Sequence, residues 1–447
     1  MQTDETQHAT ESGAARGPEG LELMRTKLGV VPNLANLVTI LTQLEAWQNL
    51  FAYNELSEQI LVMRQIPGQR GNPNLHRPRP IRDDDISQVI VWLNRSVKMF
   101  RVAKGDVADA IRLAARENVI SPIKHYLHDL ERMPEEMART YLKAVAKSHF
   151  GMRCDGVSAQ AQEFAILAIR KFLISAVARA LRPGCKVDHI LILESRQGAN
   201  KSSGSRALFG DEYFGDNLPP PHSKDASDYI RGLWGIELAE LSNVSKAEVE
   251  HVKAFVTRTE ERFRPAYGRN EIVYARRCVF IGTTNRSDYL RDETGNRRFW
   301  PVKVDKLDVK LITQDRDKIW GAAVSLYEAS EPWWLTHEET KLAETEQAQR
   351  TAIDAWYEEI AVWLDGNKKQ ETCIKEVAKE CFLLMEAKDL TQPVNNRIRS
   401  GLAYSGFESC SRRFTSGAYK GLTIFARKQT TAEPDDDPPW DDFEVPF

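Results

Sequence analysis

The chain has 447 residues, 42% of them hydrophobic and 28% charged, which gives ample apolar content for a sizeable core. At ordinary domain sizes that length makes roughly three domains. No apolar run is long enough to cross a bilayer, which excludes a channel or transporter built of spanning helices. The formal net charge is −3, yet seven acids and no Lys or Arg fall between Glu433 and Phe447. Setting those seven negative charges aside turns −3 for the whole chain into +4 for the rest. The body is therefore mildly basic, and the acidity is concentrated in a tail. The first residues carry no basic-then-apolar signal pattern, so a cytoplasmic protein is the expectation. The six Cys are scattered without a Cys-x-x-Cys pair, and they read as reduced structural thiols rather than a zinc site or disulfide framework. The nine His do not cluster; His125 and His128, three apart, read as packing or solvated positions.

In chain order, residues 1–19 are small and polar and predict disorder. Residues 20–150 predict a mainly helical region, with apolar faces at helical spacing over 85–100 and 107–117. A Pro-, Gly- and Arg-rich loop over 67–80 precedes them. Residues 164–181 predict a strongly apolar helix, stopped by Pro183-Gly184. From His189 the texture changes. Residues 189–194 predict a buried strand, with further strands at 233–238 and 278–284 and a helix over 317–329. Strand, loop, helix and strand in this order predict an α/β fold with a parallel sheet, placed within 151–345. Residues 351–428 predict a separate small domain of three helices and a Gly-containing hairpin, the outline of a winged helix-turn-helix. The acidic tail occupies 429–447.

The central feature is the stretch from Leu191 to Ser203. A phosphate-binding loop needs a strand, a turn exposing successive backbone N–H groups, then Lys and Ser/Thr at a helix start. Here Gln197, Gly198, Ala199 and Asn200 form the turn, and Lys201, Ser202 and Ser203 open the helix. Lys201 would meet phosphate oxygens of ATP, and the Ser202 hydroxyl would reach Mg²⁺. Ser195 and Asn200 stand where the pattern has glycine. Asn is the non-Gly residue that best tolerates positive φ, so Asn200 can hold the turn; Ser195 can do so only at negative φ. A Ser- and Gly-rich surface turn is the competing reading.

Three later segments add to it. Residues 234–240 form a strand ending in acids, Glu237 and Glu240, which can hold Mg²⁺ or activate water. Residues 281–285 form a strand ending in Asn285, an amide suited to orienting water at a γ-phosphate. Arg297 and Arg298 follow a Gly turn, where an Arg can reach a neighbouring subunit's γ-phosphate.

These strings resemble the virulence-associated protein E family. The resemblance rests on residues 182–189 with the loop, 237–241, 252–269, 282–285, 292–302 and 315–320, and it runs closely over roughly 130–345. It implies an AAA+-like phosphate-loop core similar to superfamily 3 helicases, working as a homo-oligomeric ring on DNA and encoded by prophages or mobile genomic islands. It implies Lys201 and Ser202 as nucleotide and Mg²⁺ contacts, and Glu237, with Glu240, as the acid of the second strand. It implies Asn285 as the sensor and Arg297 or Arg298 as the finger supplied in trans. An ATPase-deficient DNA-binding or regulatory protein is the alternative, because the two glycines are replaced.

Arg262, Arg264, Tyr267 and Arg269 interleave cations with an aromatic about a Gly268-Arg269-Asn270 turn. Such a hairpin can enter a ring pore, stacking bases and pairing phosphates of single-stranded DNA; a solvated hairpin with its aromatics in the core is the other reading. Arg397, Arg399, Arg412, Arg413 and Lys420 in the C-terminal domain can track duplex DNA or form an ordinary cationic face. The last residues resemble the tip of bacterial single-stranded-DNA-binding proteins. Asp442, Glu444 and Phe447 would then engage host replication proteins that read such tips. A solubilising tail, or one folded back onto the chain, is the alternative.

Overall fold

The computed structural model describes residues 20–27, 29–69, 78–239, 246–263, 272–286, 289–290, 296–350, 354–384 and 386–428. The chain divides into two compact units between Thr351 and Ala352. Among the described residues no helix is long and apolar enough to cross a membrane.

The first unit begins with a small antiparallel pair, β1 (Arg25–Thr26) and β2 (Gly29–Val30). In α1 (Leu34–Gln43) the Asn33 side chain caps the helix by accepting from the Asn36 N–H. The antiparallel strands β3 (Phe51–Asn54), β4 (Gln59–Val62) and β5 (Arg79–Pro80) follow. α2 (Asp83–Trp92) opens on three Asp, the charge that a helix N-terminus favours. α3 (Lys104–Glu117) leads to β6 (Val119–Ile120), which lies parallel to β3 and completes a sheet of order β5-β4-β3-β6. The expected helices are present, but the region is α/β rather than helical alone. Its strands hold two to four residues, too few for alternation to show against the flanking helical periods.

Next come α4 (Pro122–Asp129), α5 (Glu135–Ser148) and α6 (Ala159–Leu181). α6 is buried on nearly every side from Phe164 to Ala180, as a helix apolar all round must be. The chain then alternates strand and helix: β7 (Ile190–Glu194), α7 (Lys201–Phe209), β8 (Phe214–Gly215), α8 (Lys224–Tyr229), β9 (Gly235–Leu238) and α9 (Lys246–Val256). An antiparallel hairpin of β10 (Glu260–Phe263) and β11 (Ile272–Ala275) precedes β12 (Val279–Thr284) and β13 (Phe299–Lys303). α10 (Val309–Glu328), capped by Asp308, and α11 (His337–Ala348), started by a Thr336/Glu339 capping box, end the unit.

β13-β7-β12-β9-β8 is the order of the five-stranded sheet, and every neighbouring pair is parallel. Strand alternation divides its core in two. Leu191 and Leu193 pack with α5, α6, α7 and α10, whereas Ile190, Ile192, Ile236 and Leu238 pack with α8 and α9. β13 is an edge strand, which is where Pro301, lacking an N–H, is tolerated.

The second unit contains α12 (Ala355–Gly366), β14 (Glu371–Thr372), α13 (Ile374–Glu380), α14 (Gln392–Tyr404), β15 (Phe407–Arg413) and β16 (Thr423–Arg427). Its antiparallel sheet has the order β14-β16-β15. Ile360, Leu364, Val377, Ile398, Leu402, Phe407 and Phe425 form its own core.

Candidate functional site

The connection from β7 goes to strands on its β12 side, while the last strand, β13, lies on its other side. The loop after β7 therefore leaves the sheet at a topological switch point, at the C-terminal ends of the strands, where open α/β sheets bind ligands. In register, Glu194 of β7 pairs with Thr284 of β12, and Leu238 of β9 with Gly282. The three strand ends thus meet at one edge beside the N-terminus of α7.

The loop backbone explains how two lost glycines are accommodated. Asn200 is left-handed at φ 58°, and Gly198 has φ 81°. Ser195 is not among the residues of positive φ, so no strain attaches to it. The Asn200 side chain donates to the Leu307 carbonyl at 3.4 Å, and the Leu307 N–H donates to Ala199 O at 3.0 Å. Gly204, one turn into α7, lies so close to Leu307 that a Cβ there would sit 2.5 Å from Leu307 Cδ2. The residues after β13 thus fix the height of the loop, a constraint that a pattern read only from Ser195 to Ser203 misses.

Lys201 donates from Nζ to Ser195 O at 3.0 Å, Ser195 Oγ at 3.1 Å and Arg196 O at 3.3 Å, curling its ammonium over the loop. Burial lowers its pKa, and the negative charge of Glu237 opposes that shift. Ser202 Oγ donates to Glu237 Oε1 at 2.7 Å, and Thr283 Oγ1 donates to the same oxygen at 2.7 Å. Glu237 is only 2% exposed, and its Oε2 is buried with no hydrogen-bond partner. A buried carboxylate oxygen left unmatched is costly and calls for a partner. Alternation explains the convergence: Ile236 and Leu238 face α9, so Glu237 faces α7, as do Ile281 and Thr283. Thr283 lay inside the strand ending at Asn285, and its part in the site follows from that alternation.

The donor set suits a hard cation. Hydroxyl and carboxylate oxygens of Ser202, Thr283 and Glu237 gather beside a helix N-terminus, and Glu237 Oε2 is the unmatched oxygen. No group of three or more His, Cys, Asp or Glu assembles a metal site among the described residues. Mg²⁺ commonly takes one or two protein groups and completes its shell with phosphate oxygens and water.

Asn285 is exposed immediately after β12 at the same edge. Arg297 and Arg298 lie elsewhere. They form a 3-10 turn before β13, and Phe299 pairs with Ile190 at the opposite, N-terminal edge of the sheet. The five residues of β7 separate the two edges by about 16 Å. Glu240 lies outside the described residues. So do Arg264, Tyr267, Arg269, Asp442, Glu444 and Phe447. Arg262 is exposed on β10 and pairs with Glu260 at 2.6 Å. In the second unit Arg397 pairs with Asp354 and stacks over Trp356, Arg412 pairs with Glu371 at 2.7 Å, and Arg413 donates to Gly421 O at 3.1 Å. Arg399 is exposed and has no partner among the described residues, and Lys420 is also exposed.

Residues 139–352 match the model of the virulence-associated protein E-like domain. No curated protein matches the chain. Among solved structures, the A form apo structure of the NrS-1 C-terminal region is 12% identical over 85% of this chain and 96% of that chain, with a TM-score of 0.43. A ligand-bound JCV helicase is 10% identical over 59% of this chain and 79% of that chain, with a TM-score of 0.24. Agreement with the family model lies over the segment that contains α6, the five-stranded sheet, the β10–β11 hairpin and α11. Over residues 139–352 the chain is similar to the virulence-associated protein E-like domain.

Proposed function

We propose that the chain binds ATP with Mg²⁺ at the β7–α7 loop and uses its hydrolysis to act on DNA, as a helicase-like replication protein of a prophage or mobile genomic island. One observation carries this reading: the Ser202 and Thr283 hydroxyls share one oxygen of buried Glu237, whose other oxygen is unmatched, at the N-terminus of the helix that bears Lys201. First-turn N–H groups of α7 have no partner within the helix and favour anions. In this reading Gln197 to Ser203 cradle the phosphates and Lys201 neutralises their charge. Ser202 and Glu237 hold Mg²⁺, which when bound supplies charge neutralisation at the β- and γ-phosphates. Asn285 orients the attacking water, and Glu240 accepts its proton.

Arg297 and Arg298 lie at the sheet edge opposite the loop of their own chain. Their service to a γ-phosphate is therefore a contact between neighbouring copies, which favours a homo-oligomeric ring. The β10–β11 hairpin, with Arg262, Arg264, Tyr267 and Arg269, would enter its pore and hold single-stranded DNA. The order of helices and strands in the second unit fits a winged helix, whose exposed Arg399 and Lys420 would meet duplex phosphates. The acidic tip would recruit host replication proteins.

A forked duplex with one labelled strand tests the proposal. Strand separation should require ATP and Mg²⁺ and be lost in Lys201→Ala. DNA binding that ignores ATP, with no separation, would instead assign the chain to the non-catalytic, DNA-binding class.

A further inference from the structure

Directly beneath the loop lies a second buried cluster. Glu194, the last residue of β7, is 6% exposed, and Arg350, just past α11, is 2% exposed. Arg350 Nε donates to Glu194 Oε1, which also accepts from the Tyr289 hydroxyl at 2.6 Å. Arg350 Nη1 donates to Glu346 Oε2 at 2.8 Å and to Glu346 O at 2.6 Å. The Arg350 carbonyl accepts from the Leu290 N–H at 3.2 Å, and Gln347 Nε2 donates to Phe299 O at 2.8 Å. The end of α11 is thereby tied to three places at once: the residue before the phosphate loop, the segment after Asn285, and the strand after Arg297 and Arg298.

We propose that Glu194, Arg350 and Tyr289 are positioning residues that hold the β7–α7 loop and the post-β12 segment in one geometry for nucleotide. The proposal rests on reading that loop as a nucleotide site. A contribution to stability alone does not account for the cluster. Buried ion pairs are often replaced by apolar side chains of similar volume with no loss of stability, because burying two charges offsets their attraction. What apolar replacements lack is direction: one guanidinium and one phenol fix the angle at which Glu194 leaves β7. Displacing reacting groups by about 1 Å is enough to cost orders of magnitude in rate.

Three full-length variants test this beside wild type and Lys201→Ala: Tyr289→Phe, Arg350→Met, and the paired Glu194→Leu/Arg350→Met. Melting temperature, fluorescent-ATP affinity and steady-state turnover are read for each. Arg350→Met should melt lowest, since it strands two buried carboxylates, those of Glu194 and Glu346. The paired variant should recover part of the melting temperature, Glu346 still lacking its guanidinium, while its kcat/KM for ATP stays at least about tenfold below wild type. Tyr289→Phe should keep the wild-type fold and lose a smaller part of kcat/KM. A paired variant with wild-type melting and wild-type kcat/KM, or Tyr289→Phe with unchanged kinetics, would overturn the positioning role. Wild type that neither binds nor hydrolyses ATP would instead overturn the nucleotide reading on which it rests.

Discussion

The Ser202 hydroxyl donates to Glu237 Oε1 at 2.7 Å, joining the first turn of α7 to the end of β9 across 35 residues of sequence. The contact places a hydroxyl and a buried carboxylate side by side at a helix N-terminus. Glu237→Gln keeps the size and the hydrogen bonding of that side chain but removes its charge. Turnover of ATP should fall on the order of a hundredfold or more while fluorescent-nucleotide binding survives. Single-turnover hydrolysis and equilibrium binding on the same preparation separate the two. Equal loss of both would mean that Glu237 serves binding rather than chemistry.

Asn200 carries the second prediction. A left-handed β-branched residue costs about 1–2 kcal/mol, whereas glycine adopts φ 58° freely. Asn200→Gly should retain the thermal stabilisation that ATP confers, and Asn200→Val should lose most of it. A Val variant stabilised as strongly as wild type would show that the left-handed turn is dispensable.

Gly204 gives the third. Its Cβ would meet Leu307 Cδ2 at 2.5 Å and Leu307 Cβ at 2.9 Å. Gly204→Ala should lower stability by about 1–3 kcal/mol through overpacking, and Leu307→Ala should relieve part of that loss. Urea unfolding of the two single variants and the double variant measures the coupling. Strict additivity would contradict the contact.

His189 sets a pH dependence. It is fully buried, stacked on Trp300 at 3.6 Å and bonded to Ser175 Oγ at 3.1 Å. Burial, aided by the Arg179 and Lys171 charges, lowers its pKa to about 3. The unfolded chain takes up this proton near pH 6.5, and the folded chain does not until about pH 3. Stability from this group is therefore full above pH 6.5 and declines as the pH falls from there towards 3. By pH 5 the loss from this residue is about 2 kcal/mol. His189→Phe should flatten the dependence of the urea midpoint between pH 7.5 and 5, and an unchanged slope would contradict the assignment.

Local sequence made part of this architecture legible. β7 is five buried residues in a run, and Lys201-Ser202 follows a turn, so strand, loop and helix are visible within a dozen positions. The β10–β11 hairpin falls where the turn chemistry places it, with its tip outside the described residues. The N-terminal sheet was not legible, because its strands are short and their pairing is set by packing. β13 was hidden by Pro301, which argues against a strand unless the strand is an edge. Glu194 and Arg350 are 156 positions apart, and neither stands in a pattern that names the other. Long-range polar partners of this kind are fixed by how the sheet and α11 pack, which no local period records.

The most direct measurement is ATP hydrolysis by the purified full-length chain, with and without single-stranded DNA, beside Lys201→Ala. Turnover should rise with DNA and disappear in the variant. No turnover in the wild type under either condition, or equal turnover in Lys201→Ala, would contradict it.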